Sequence, residues 1–86
     1  MWIRSQKEAK LIEVNNFRVI ERSESYSIKY PYIIETIIEN DSIYLGEYST
    51  MKKALKVLDM IQKFLDNEFL ARVFQIPQDD EVEEDD

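Results

Sequence analysis

The sequence predicts an α+β protein: an antiparallel sheet of four to six short strands, packed on one face by a single amphipathic helix over about residues 49 to 67. Three observations predict it. Short runs of alternating apolar and polar residues, rich in isoleucine, valine and tyrosine, fill the chain as far as Tyr48. From Ser49 the apolar period changes from two to that of a helix. The 86 residues are 44% hydrophobic and include one glycine and two prolines, the composition of a folded chain with few breaks. A domain this small buries only about 60% of its unfolded surface, so one modest core is expected.

The elements follow in order. MWIRSQ reads as a strand with Met1, Ile3 and Ser5 on one side and Trp2, Arg4 and Gln6 on the other. KEAK is a polar turn. LIEVNNFRVIER is strand-like, but Ile12 and Val14 differ in parity from Phe17 and Val19. A bulge or tight turn at Asn15-Asn16 restores one apolar face, and asparagine tolerates the positive φ that either needs. SES is a turn, and YSIKYPY opens a third strand that Pro31 ends or bulges. IIETIIEN and IYLGEY form a hairpin about an Asn40-Asp41 turn. In STMKKALKVLDMIQKFLDN, Ser49 or Thr50 caps the helix. Met51, Ala54, Leu55, Leu58, Ile61 and Leu65 form its apolar stripe, widened by Val57 and Phe64. FLARVFQIP is a last short strand stopped by Pro77.

The chain ends in DDEVEEDD. This run carries seven of the eighteen acidic residues, so residues 1 to 78 hold eleven acids against eleven Lys and Arg. The net charge of −7 therefore belongs to the tail. Residues 1–78 are expected to form a single domain and residues 79–86 an acidic, disordered extension, because like charges repel and little in it is apolar. No apolar run approaches the roughly 20 residues of a membrane span, and the N-terminus lacks an apolar signal core. These features point to a soluble, cytosolic protein with no membrane partner.

Two stretches carry a resemblance. MWIRSQ at the start, and Leu45, Gly46, Tyr48, Thr50, Ala54, Val57, Leu58, Asp59 and Ile61 in an LGxYxTxxxAxxVLDxI pattern, resemble small proteins of unassigned function from Gram-positive bacteria and their phages. Val14 to Phe17 and the closing Phe74-Gln75-Ile76-Pro77 are similar to that family's VNNF-like element and usual end. The resemblance implies a phage or mobile-element setting and carries over no catalytic residue. The acidic run and YPY depart from the pattern.

Catalysis is disfavoured. The chain has no cysteine and no histidine, so the commonest metal ligands and the commonest neutral-pH proton carrier are missing. Glu35 and Glu39 share a strand face, but their Cα atoms would lie roughly 13 Å apart, beyond a glycosidase pair. No glycine-rich phosphate loop is present. No enzyme activity, metal or cofactor is expected.

Binding is the expected work. The outer hairpin face would place Ile33, Ile37, Tyr44 and Tyr48 around Glu35, an apolar centre with aromatic anchors and a charged rim. Asp79, Asp80, Glu81, Glu83, Glu84, Asp85 and Asp86 would imitate several phosphates before a basic groove, in a salt-sensitive way. The expected partner is a protein, in the most concrete form a host nucleic-acid-handling or defence enzyme held by a stoichiometric inhibitor. A homodimer is the simplest form of such an interface. Two alternatives stand beside it: a phage structural or assembly protein, and a small nucleotide-like ligand held by tyrosines with Arg18, Arg22 and Lys29. The neutral body disfavours direct nucleic-acid binding. Lys52, Lys56 and Lys63 read as a solvated helix ridge.

Overall fold

The computed structural model describes residues 1–7, 10–22, 29–66 and 73–83. Within them the fold class is the α+β one that the sequence predicts. Six strands are present: β1 (Trp2–Arg4), β2 (Leu11–Glu13), β3 (Arg18–Glu21), β4 (Tyr32–Ile38), β5 (Asp41–Tyr48) and β6 (Val73–Gln75). One helix, α1 (Met51–Asp66), follows β5. The strands form two sheets rather than one, ordered β2-β1-β6 and β3-β4-β5. All pairings are antiparallel except that of β1 with β6, which is parallel.

This division explains the parity slip at Asn15-Asn16. Neither asparagine adopts a positive φ; among described non-glycine residues only Glu39 and Asn40 do. The chain instead leaves one sheet after Glu13 and enters the other at Arg18. At the crossing Asn16 stands in for a strand peptide. Its Oδ1 accepts the Ile37 N–H at 2.9 Å, and its Nδ2 donates to the Ile37 carbonyl at 3.0 Å. Ile12, Val14, Phe17 and Val19 then all reach one core.

The hairpin turn lies one residue earlier than predicted. Glu39 and Asn40, at φ 50° and 70°, occupy the two left-handed positions of a two-residue turn. Ile38 pairs with Asp41 and Thr36 with Ile43. A bulge then leaves Leu45 without a register partner, between Glu35↔Tyr44 and Ile34↔Gly46. The extra residue shifts the phase of β5, so that Ile43, Leu45 and Tyr48 all pack into the core despite their mixed parity.

The core joins both sheets to the helix. Ile3, Ile34, Leu45, Tyr48, Ala54, Val57, Ile61, Phe74 and Ile76 are buried in one cluster, and α1 packs on β4 and β5. The helix begins where Thr50 Oγ1 accepts the Lys53 N–H at 3.2 Å, a side-chain cap for an otherwise orphaned donor. Its buried stripe is narrower than predicted, for Met51, Leu55 and Leu65 remain exposed. Phe64 meets Phe74 of β6 edge-to-face, with ring centroids 5.2 Å apart.

The end of the chain departs most from expectation. Residues 79–83 are packed on the body rather than disordered. Asp79–Glu81 form a 3₁₀ turn, and the next residue, Val82, is buried in the core cluster. One apolar residue in the run suffices as an anchor, because an aspartate beside it is also satisfied, as described below. Residues 84–86, the SES turn and residues 26–28 of YSIKYPY lie outside the described residues; Lys29 to Pro31 precede β4 as irregular chain.

Candidate functional site

The predicted hairpin surface is largely not a surface. Ile33, Glu35 and Tyr48 are at most 1% exposed, so they cannot meet a partner, whereas Ile37 and Tyr44 are open. Two causes act. The bulge turns Tyr48 to the inner face, where its hydroxyl donates to the Pro77 carbonyl at 2.7 Å. Burial, then the charges of Asp79 and Glu81, push the Tyr48 phenol well above its ordinary value of 10. On the outer face Arg18 ion-pairs with Glu35, and Ile33 lies beneath Arg22, Tyr44 and Glu47 in a cleft of about 210 Å³. Glu39, the second member of the carboxylate pair, sits in the turn.

Of the acidic run, Asp79 faces inward. Its carboxylate accepts the Ser49 N–H at 2.8 Å and the Ser49 hydroxyl at 2.9 Å, and Lys53 Nζ lies 3.3 Å from its second oxygen. Burial alone would raise its pKa. The bonds from Ser49, and the bond and charge of Lys53, outweigh that and hold it below the ordinary carboxylate value. Lys53 Nζ also donates to the Asp79 carbonyl, and Lys56 Nζ to that of Glu83 at 2.6 Å. The lysine ridge is thus partly turned to binding the chain end. Asp80, Glu81 and Glu83 are exposed, although Glu81 Oε1 accepts the Gln78 N–H at 2.7 Å.

The family-like motif residues converge. Gln6, from MWIRSQ, extends the edge of β5 with its side-chain amide. Its Oε1 accepts the Glu47 N–H at 2.9 Å, and its Nε2 donates to the Pro77 carbonyl at 2.8 Å. Gly46 is needed there: a Cβ at this position would stand 2.7 Å from Ile76 Cγ2. Gln6, Gly46, Tyr48 and Pro77 thus form one junction between the sheets and the chain end, and its chemistry is that of a structural joint.

A surface that the sequence reading did not single out lies on the outer side of β2-β1-β6. Register sets Trp2 between Glu13 and Val73, and Arg4 between Leu11 and Gln75. Trp2, Leu11 and Val73 are 44%, 56% and 44% exposed. The alternation of MWIRSQ already placed Trp2 and Arg4 together. What the sequence left hidden was the parallel partner β6, which brings Val73 beside them from 71 residues away.

Among the described residues, no group of three or more His, Cys, Asp or Glu side chains is arranged to hold a metal ion, and no helix is long and apolar enough to cross a membrane. No protein-family model, no curated protein and no solved structure matches the chain.

Proposed function

We propose that this chain is a small non-enzymatic protein-interaction module that binds a protein partner through the outer face of β2-β1-β6. One observation carries the reading: Trp2, Leu11 and Val73 stand exposed and adjacent on a sheet face, with Arg4 among them. Each exposed apolar side chain forgoes roughly 25 cal/mol per Å² of burial, which a partner would recover. Tryptophan and arginine are the residue types that most often dominate binding energy. Arg4 and Glu13 supply polar contacts at the margin of the apolar group.

The phage or mobile-element setting in the bacterial cytoplasm rests on the resemblance of MWIRSQ and LGEYST…KALKVLDMIQKF. Within it, the concrete form is a stoichiometric inhibitor of a host nucleic-acid-handling or defence enzyme. Asp80, Glu81 and Glu83, held on a packed chain end, would face the enzyme's basic groove.

The test is affinity capture of the tagged full chain from the cells that make it. The Trp2→Ala/Leu11→Asp double variant is expected to keep its circular dichroism spectrum and lose the partner. Equal capture by the folded double variant would refute the docking face. Neutralising Asp80, Glu81 and Glu83 together, as Asp80→Asn, Glu81→Gln and Glu83→Gln, is expected to weaken capture and flatten its salt dependence. No change would remove the acidic residues from the mechanism.

A further inference from the structure

We infer that the groove along the outer edge of β5 binds a small planar aromatic anion of the nucleoside-monophosphate class. The groove is distinct from the Trp2 face and does not depend on that reading. It joins two hollows. One, of about 210 Å³, is lined by Arg22, Tyr44 and Gly46, with Ile33 and Leu45 buried behind them. The other, of about 660 Å³, reaches Lys29, Tyr30 and Asp80. Gln6, Lys7 and Glu47 line both.

Two tyrosines here each carry a cation. The Arg22 guanidinium lies 5.8 Å from the Tyr44 ring centroid, and Lys29 Nζ lies 5.4 Å from that of Tyr30. Lys7 lines both hollows, so three basic side chains, from positions 7, 22 and 29, face one groove. Glu47 ion-pairs with both Lys7 and Arg22. That does not exhaust them, since a guanidinium has five N–H donors and an ammonium three. Asp79 is turned to Ser49 and Lys53, which leaves Asp80 as the acid at the far end.

Size and chemistry together select the ligand class. The smaller hollow is below the roughly 300–1,000 Å³ of a drug-sized pocket and has room for one ring. A flat base would lie against the exposed Tyr44 ring and Arg22, an arrangement favoured for any base because each presents a π face. Sugar and phosphate would extend into the larger hollow toward Lys7 and Lys29, where charge-assisted hydrogen bonds are available. One ring-sized hollow suits a mononucleotide and not a strand of stacked bases.

The test is a titration of the ¹⁵N-labelled full chain with AMP and UMP, with uridine and inorganic phosphate as separate arms. The expected result is saturable shifts at the amides of Lys7, Gly46 and Glu47, with none at Trp2 or Leu11. A nucleotide should bind at least tenfold more tightly than either fragment alone. Tyr44→Ala and Arg22→Gln should each weaken binding about tenfold, the order of one lost base–aromatic contact. Tyr44 is half exposed, so its variant should fold, and unchanged shifts in α1 would verify that. No saturable shift by about 10 mM nucleotide, equal affinity for phosphate alone, or shifts at Trp2 and Leu11 in place of Gly46 would each overturn the inference. The capture experiment reads different residues, so failure of one reading leaves the other standing.

Discussion

Gly46 is where a single methyl group would be felt most. The chain end passes so close that an alanine Cβ would meet Ile76 Cγ2 at 2.7 Å, and Ile76 is fully buried and branched at Cβ, so it has little room to yield. Gly46→Ala is therefore expected to cost about 1–3 kcal/mol, read as a fall in the midpoint of urea unfolding with the slope unchanged. An unchanged midpoint would show that the approach is not tight. Two titrating residues at the same end set opposite limits in pH. The Asp79 pKa is lowered in the folded chain, so its contribution is present above the ordinary value of 3.8 and is lost as pH falls below that. The Tyr48 pKa is raised, so its contribution is present below the ordinary value of 10 and is lost as pH rises past it, when only the unfolded chain ionises. Asp79→Asn should flatten the acid limb of a stability–pH curve and Tyr48→Phe the alkaline limb. Tyr48→Phe should also cost about 1 kcal/mol at neutral pH through the lost bond to Pro77. A Tyr48→Phe curve that still falls steeply above pH 10 would place the alkaline effect elsewhere.

At the scale of elements, the chain end behaves as a strap. Pro77 accepts from Gln6 and Tyr48, Asp79 from Ser49, and Val82 enters the core. Val82→Ala should destabilise by roughly 2 kcal/mol, within the range for shortening a buried apolar side chain, whereas Val82→Ala without effect on thermal unfolding would mean that the strap is not part of the cooperative unit. The sequence made the helix legible because sixteen residues repeat one period, and it made the alternation of β1 and β4 legible for the same reason. Its blind spots share a physical cause. A parity slip at Asn15-Asn16 and mixed parity at Ile43, Leu45 and Tyr48 each show that the chain must change phase. Local pattern does not say whether it does so by a turn, a bulge or a move to another sheet. The parallel β1–β6 pair joins residues about 70 apart, and no short-range pattern encodes it. The acidic run read as unstructured because composition averages over Val82, although this buried residue and the satisfied Asp79 carboxylate help seat residues 79–83.

Across the described residues, exposed apolar side chains lie on the Trp2 face, at Ile37 and Tyr44 of the hairpin, and on α1 at Met51, Leu55, Met60 and Leu65. Trp2, Leu11 and Val73 mark the outer side of one sheet, the cation–tyrosine pairs mark the outer edge of the other, and the surplus acid lies on the strap. The hairpin face that the sequence favoured lost its place through burial of Ile33, Glu35 and Tyr48. The binding role proposed above rests on the Trp2 face instead. The most direct measurement is site-specific photocrosslinking in the cells that make the protein, with a benzophenone side chain placed at position 11 and, as a control, at the exposed position 63 of α1. The account predicts one adduct of fixed mass from position 11 and none from position 63. No adduct from position 11, or the same adducts from both positions, would contradict it.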